Sequence, residues 1–345
     1  MKAARLYGKN DLRVCDIPKP GIHEGEILLK VKAAAVCGTD LRMWRNGASG
    51  IDQDHPVTLS HEFSGVIEQV GKEVAGYKPG DRVSIAPNIG CGVCDRCVSG
   101  NSHHCQALKA FGVHIDGGFA EYVKIPALAV SHGNVTPLAD GVSFEAAAAN
   151  EAFSCVYSAF ERYQVYPGDI VCIIGAGAIG IMHAKLAFMA GASKVILNDL
   201  SGERLAEGKL IEPRLITVSK DLAAAVDRET NGAGANVVIT ACSVKAVQEN
   251  AFSIAGTDGR VNFFGGLPAG QIAGLDTNQI HYKQLTVTGT TRSSHRHYRR
   301  TLDFIAKRIV DIDPVITNRY PIEDVLAAFS NAAAAKGLKH VVVFD

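Results

Sequence analysis

Ile170-Val-Cys-Ile-Ile174 runs into Gly175-Ala-Gly177-Ala-Ile-Gly180, and that into Ile181-Met-His-Ala-Lys-Leu-Ala-Phe-Met189. The short apolar run reads as a buried strand, the glycines as a turn and the remainder as a helix. Gly175 permits the tight turn, Gly177 lets a pyrophosphate approach the backbone, and Gly180 lets the helix pack on the sheet. The helix N-terminal amides, at Ala178 and Ile179, favour an anion. Glycine pairs at strand–helix turns are common, so the motif alone is weak. The second strand strengthens it. Lys194–Asn198 ends in Asp199, 24 residues after Gly175, where a carboxylate accepts ribose hydroxyls and repels a 2′-phosphate. The expectation is a dinucleotide site for NAD, with Arg204 the nearby residue that would tolerate the phosphate of NADP. A helix N-cap at Asp199 or Ser201 is the plain alternative.

Around this motif, Ile170–Ile174, Lys194–Asn198, Val237–Thr240 and Arg260–Phe264 are short apolar runs separated by helical stretches. Such alternation predicts a doubly wound parallel sheet, a Rossmann domain over residues 154–290. Residues 1–153 differ in texture. Glu26–Ala35, Ser64–Val70 and Asp81–Ile85 are separated by turn signals such as Lys78-Pro79-Gly80-Asp81 and Asp116-Gly117-Gly118, which predicts an antiparallel, barrel-like β domain. After Gly289 the chain turns basic, passes through a helical stretch and ends in the strand Lys339–Phe344. Residues 291–345 are read as a return to the first domain. The alanine clusters Ala146–Ala149 and Ala332–Ala335 are expected on close-packed helix faces.

The length, 345 residues, fits two domains. Lys+Arg and Asp+Glu both number 35, so no net charge draws the chain to nucleic acid or anionic lipid. Met1–Asn10 lacks an apolar signal-like stretch. The longest apolar run, Ile170–Met182, falls short of the roughly 20 residues that span a bilayer. A cytoplasmic protein with no membrane partner is expected. Of nine cysteines, four cluster as Cys91, Cys94, Cys97 and Cys105, in a loop spanning 88–106. The C-x2-C-x2-C-x7-C spacing suits a closed tetrahedral structural zinc site. A bacterial ferredoxin pattern would need a Cys-Pro and a shorter last spacing. A nucleic-acid-binding zinc ribbon would sit in a basic context.

Three further fragments carry ligand types: Val36-Cys37-Gly38-Thr39-Asp40, His61-Glu62-Phe63-Ser64-Gly65 and Asn150-Glu151-Ala152. Singly, each reads as readily as a core thiol, a core histidine or a helix-end carboxylate. Their order is more telling. Together with the four-cysteine loop, Asp116-Gly-Gly-Phe-Ala-Glu-Tyr122 and the glycine loop, it resembles the zinc-containing medium-chain dehydrogenases along nearly the whole chain. The sorbitol (iditol) and galactitol-phosphate dehydrogenase branch is the nearest, because Glu151 stands where simple alcohol dehydrogenases carry cysteine.

That resemblance implies an α/β protein with a GroES-like β-barrel catalytic domain and a Rossmann domain. It implies two Zn²⁺ per subunit, one catalytic and one structural, with NAD as cofactor and a homodimer or homotetramer as the assembly. Cys37 and His61 are implied as direct ligands of the catalytic zinc. Glu62 and Glu151 complete its site, one directly and one through water, in an order left open. Thr39 is implied as acceptor of the alcohol proton. One thiolate, one imidazole and one carboxylate would leave Zn²⁺ nearly neutral with a fourth position open, which is chemically consistent. The implied substrate is a secondary alcohol of a polyol or polyol phosphate. An amino alcohol such as threonine is the nearest rival, and a catalytically silent nucleotide-binding protein the rival of another class. Three departures from the family stand out: Ser60 for a glycine, Ala152 for a proline, and Arg42 for a proton-relaying histidine. Arg42 and the basic stretch Arg292–Arg300 are candidate phosphate contacts, the latter set against a solvated helix face or cofactor-contacting loop.

Overall fold

The computed structural model describes residues 1–345 as two units, Met1–Ser154 with Ser293–Asp345, and Cys155–Arg292. The helix Phe144–Tyr163 runs across the division. No helix is long and apolar enough to cross a membrane.

The first unit is built on a seven-stranded sheet. Its path is Val135–Pro137, Arg82–Ile85, Glu62–Val70, Ile27–Ala35, Lys339–Val343, Ile316–Tyr320, with Tyr122–Ile125 also pairing with Ile27–Ala35. Ile27–Ala35 is the hub because its side chains are almost all apolar and buried, as a strand covered on both faces requires. Ile27, Leu29, Val31, Phe63, Ile67, Val83, Ile85 and Val123 form one core with Phe329 from the C-terminal segment. Register fixes where the chain ends meet. Ala35 pairs with Glu62 on one side and with Val341 on the other. Three chain segments therefore converge at one end of the sheet: the exit toward Cys37, the entry from His61, and the entry from Lys339.

The second unit is a six-stranded, wholly parallel sheet in the order Ile216–Val218, Lys194–Asn198, Ile170–Ile174, Ala235–Thr240, Ala255–Phe263, Thr286–Gly289. Its strand order reverses beside Ile170–Ile174, the switch point at which such sheets bind ligands. Ile170–Ile174 and Lys194–Asn198 have the bounds expected of them. Ala255–Phe263 starts five residues before the expected Arg260. Gly256 and Gly259 read as a strand break in sequence, yet here they sit in an irregular stretch of pairing that the strand passes through.

One expectation needs correction. Ala146–Ala149 are fully buried in their helix. Of Ala332–Ala335, Ala332 packs against the core, but the helix ends at Ala333, Ala334 and Ala335 are exposed, and Ala335 is left-handed at φ 59°. Alanine run-outs at a helix end satisfy propensity without burial.

Candidate metal centres and dinucleotide loop

The loop from Cys91 to Cys105 gathers four sulfurs. Cys94 Sγ lies 3.5 Å from Cys97 Sγ and 3.8 Å from Cys105 Sγ, and Cys91 Sγ lies 3.9 Å from Cys97 Sγ. A tetrahedron with ~2.3 Å zinc–sulfur bonds has edges of about 3.8 Å. Disulfides are excluded at these separations, and all nine cysteines are free. Backbone N–H groups of Val93 and Cys94 aim at Cys91 and lower its thiol pKa to about 6, while burial pushes the Cys97 thiol up to about 12, so one thiol is poised as a thiolate and another is not. The donor set fits structural zinc.

The second cluster grows from the convergence at the sheet end. Cys37 precedes the helix Gly38–Asn46, His61 immediately precedes the strand that Glu62 opens, and their ligand atoms all lie within 4.8 Å of one another. A thiol, an imidazole and a carboxylate at this spacing fit a zinc with an open position. Glu151 is buried on the helix Phe144–Tyr163 and lies outside that tight set. Its charge still acts on His61, Lys339 and Tyr298.

Two supporting side chains had no role assigned from sequence. Asp40 is fully buried; its Oδ2 accepts from Cys37 N at 2.8 Å and its Oδ1 from Ser60 N at 3.2 Å. Oδ1 also stands 3.9 Å from His61 Nδ1, a charge contact too long for a hydrogen bond. Burial raises the Asp40 carboxyl above its ordinary range, against the opposing pull of His61. The i,i+3 spacing from Cys37 is the local signal for this contact. Lys339 is the second. Its Nζ is buried, 2.7 Å from Glu62 Oε1, 2.6 Å from Oε2 and 3.1 Å from Val36 O. Burial pulls its pKa down, but Glu62 and Cys37 outweigh that and raise it. His61 behaves alike: burial opposes its charge, and Cys37, Asp40 and Glu151 together raise it well above the ordinary value.

Ser60 accounts for the glycine usual at its position. Its φ is 71°, in the left-handed region that costs an L-residue roughly 1–2 kcal/mol. The buried hydroxyl donates to Ala35 O at 3.1 Å or to Glu62 O at 3.2 Å, which offsets part of the strain. Thr39 is half-buried, and its Oγ1 accepts from Arg42 Nη2 at 3.3 Å.

In the second unit, Gly175 adopts φ 119°, and a Cβ at Gly180 would collide with the Gly175 carbonyl oxygen. A Cβ at Gly177 would meet nothing within 4 Å. That glycine is not demanded by the chain's own packing; it leaves a cradle at the N-cap of the helix Ala178–Met189, suited to a diphosphate. Asp199 braces the loop, its Oδ2 accepting from Ala176 N and its Oδ1 from Ser201 N, both at 2.8 Å. Ser201 caps the following helix by accepting from Arg204 N at 3.3 Å. The carboxylate keeps lone pairs for ribose hydroxyls.

The four arginines of the basic stretch, Arg292, Arg296, Arg299 and Arg300, are exposed, while His297 and Tyr298 between them are buried. His297 closes a capping box with Ser294, Arg299 donates to Gly133 O at 3.0 Å, and the Arg300 guanidinium lies 5.5 Å from the Phe304 ring. Tyr298 is buried, with its hydroxyl 2.6 Å from Ser84 Oγ.

Comparison with known proteins places these features in context. A model of the alcohol dehydrogenase GroES-like domain matches residues 23–134, and one of the zinc-binding dehydrogenase domain matches residues 178–307. L-threonine 3-dehydrogenase of Bacillus velezensis is 34% identical over 90% of this chain and 88% of its own length. Sorbitol dehydrogenase of Bacillus subtilis is 30% identical over 97% and 94%. The crystal structure of galactitol-1-phosphate dehydrogenase from Escherichia coli matches all of both chains at a TM-score of 0.88 and 28% identity.

Proposed function

The chain belongs to the zinc-containing medium-chain alcohol dehydrogenase family, and on that premise we propose that it oxidises a secondary carbinol of a polyol or polyol phosphate to a ketone with NAD. The observation that carries this reading is the convergence of Cys37, His61 and Glu62 within 4.8 Å at the sheet end. Zinc and NAD, when bound, supply a Lewis acid for the alcohol oxygen and an acceptor for the hydride.

The remaining work falls to side chains. Cys37 and His61 hold the metal with Glu62 as the third ligand, and Glu151 faces the cluster as holder of a water. Asp40 braces the backbone at Cys37 and Ser60, and Lys339 fixes the Glu62 carboxylate. Thr39 Oγ1 takes the alcohol proton and passes its own onward. Arg42 ends no relay, because a guanidinium stays protonated in proteins; the proton leaves to water. In balance, one secondary alcohol and one NAD⁺ give one ketone, one NADH and one H⁺. Gly175, Gly177, Ala178, Ile179 and Gly180 hold the diphosphate, and Asp199 selects NAD over NADP. Cys91, Cys94, Cys97 and Cys105 hold a structural zinc. The edge strand Thr286–Gly289 is the pairing edge of a homodimer or homotetramer.

A second reading has a specific support. The 34% identity to a threonine dehydrogenase makes a β-hydroxy amino acid the alternative substrate. Following NADH absorbance with free polyols, their phosphates, inositols and L-threonine separates the two. Full turnover after chelation, with no metal bound, would sink both.

A further inference from the structure

Arg42 is exposed on the helix Gly38–Asn46, where Nη2 donates to Thr39 Oγ1 at 3.3 Å. No carboxylate pairs with it, so most of the guanidinium's donors lack a protein partner. Two neighbouring cations are committed: Lys339 to Glu62, and Arg45 to Ala333 O at 3.2 Å. Behind Thr39, Asp40, Glu62 and Glu151 are buried, and Lys339 pairs with Glu62. The hydroxyl that receives the substrate's proton therefore has beside it a guanidinium with donors to spare, able to meet an oxyanion on the same substrate.

We propose that Arg42 serves this purpose, and that the substrate is an alcohol carrying a carboxylate or a phosphate, gripped by the guanidinium while its carbinol is presented to Thr39. This rests on the dehydrogenase reading above and narrows its substrate class. Planar guanidinium donors suit both oxyanions in bidentate fashion. The Arg42–Thr39 bond ties the two tasks together: the same group that grips the anion fixes the Thr39 oxygen, so an anionic substrate is held in register with its proton acceptor. Arg42 acts here as a specificity-determining residue, and no covalent step passes through it.

The test uses the zinc-loaded enzyme with matched hexitols, hexitol 1-phosphates and aldonates of galacto and gluco configuration, in wild type, Arg42→Gln and Arg42→Lys. The expected result is a wild-type preference in kcat/KM for one anionic series over the neutral hexitols. That preference falls roughly 10- to 100-fold in Arg42→Gln, the worth of a charge-assisted hydrogen bond. Arg42→Lys recovers most of it, and the KM for NAD moves little in either variant. Which anion is preferred distinguishes carboxylate from phosphate. A wild-type preference for neutral hexitols, an unchanged preference in Arg42→Gln, or a loss that appears as a raised KM for NAD with every substrate overturns the proposal. If Arg42→Gln misfolds, ionic strength serves in its place: salt must raise the wild-type KM for anionic alcohols and leave that for neutral ones. Calorimetric binding of the same compounds repeats the comparison without turnover. Absence of turnover with every alcohol would therefore sink the dehydrogenase reading, while the binding comparison still decides the role of Arg42.

Discussion

Lys339 Nζ and Glu62 Oε1 stand 2.7 Å apart in a setting where the lysine is almost wholly buried and the glutamate completely so. Glu62 is the largest charge acting to keep the lysine protonated, with Cys37 second. Replacing Lys339 by Met is expected to cost about 3–5 kcal/mol, the usual consequence of stranding one partner of a buried pair. Lys339→Met combined with Glu62→Gln recovers much of that loss. Urea unfolding of the three variants checks this, and additive losses would show that the two residues are not coupled.

Metal content should separate the two clusters. Wild type is expected to carry two zincs per chain, and Cys97→Ser or His61→Gln one each, by elemental analysis. Only Cys97→Ser should also lower the melting temperature strongly, because a closed structural site contributes folding energy. Retention of two zincs by Cys97→Ser would refute the four-thiolate assignment.

Ser60 combines strain and compensation, which predicts an order among variants. Ser60→Gly relieves the left-handed backbone but loses the hydroxyl bonds, for a net change within about 1 kcal/mol. Ser60→Ala keeps the strain and loses the bonds, at about 1–3 kcal/mol. Thermal unfolding showing Ala as stable as Gly would remove φ 71° as the explanation.

His183 makes stability depend on pH. It is fully buried on the helix Ala178–Met189, its Nδ1 is 2.9 Å from the Tyr163 hydroxyl, and burial lowers its pKa from 6.5 to about 3. Between those values the unfolded chain binds the proton and the folded chain does not. Its contribution is complete above pH 6.5 and declines as pH falls toward 3. The slope is at most about 1.4 kcal/mol per unit, or about 2 kcal/mol between roughly pH 6.5 and 5. His183→Gln keeps an acceptor for Tyr163 and cannot titrate, so its urea midpoint should vary less across that window. Parallel pH curves would place the acid sensitivity elsewhere.

Asp199 should govern the choice of dinucleotide. Asp199→Ser, with Arg204 retained, is expected to lower the NAD-to-NADP ratio of kcat/KM by about tenfold or more, on the order of one charged hydrogen bond. An unchanged ratio would leave Asp199 as a brace for Ala176 and no more.

The parallel sheet is readable because Ile170–Ile174 and Lys194–Asn198 are uninterrupted apolar runs bounded by glycine and polar residues. Periodicity and punctuation agree there. Ala255–Phe263 is misread at its start because glycine in a strand and glycine at a strand end look identical in sequence. In the metal cluster, Cys37, Asp40, His61 and Glu62 are motif residues with visible ligand chemistry, although only the structure shows how Asp40 is used. Lys339 carries no such signal. A buried lysine is made tolerable only by its carboxylate partner, and that partner lies 277 residues away. Pattern alone therefore assigns it to an ordinary terminal strand. Arg42 falls between these cases: its unusual identity is visible in sequence, but its contact with Thr39 is not.

The entry of Lys339 from the last strand sets a timetable for synthesis. Cys37, His61 and Glu62 leave the ribosome long before Lys339 exists, since Glu62 and its partner are 277 positions apart. At roughly 5–20 residues per second this is a wait of about 15–55 s. Throughout it the nascent chain holds an unpaired Glu62 and lacks one of the three strands that pair with Ile27–Ala35. Until then Glu62 has no ammonium partner, and the buried pair forms only once the strand carrying Lys339 has been translated.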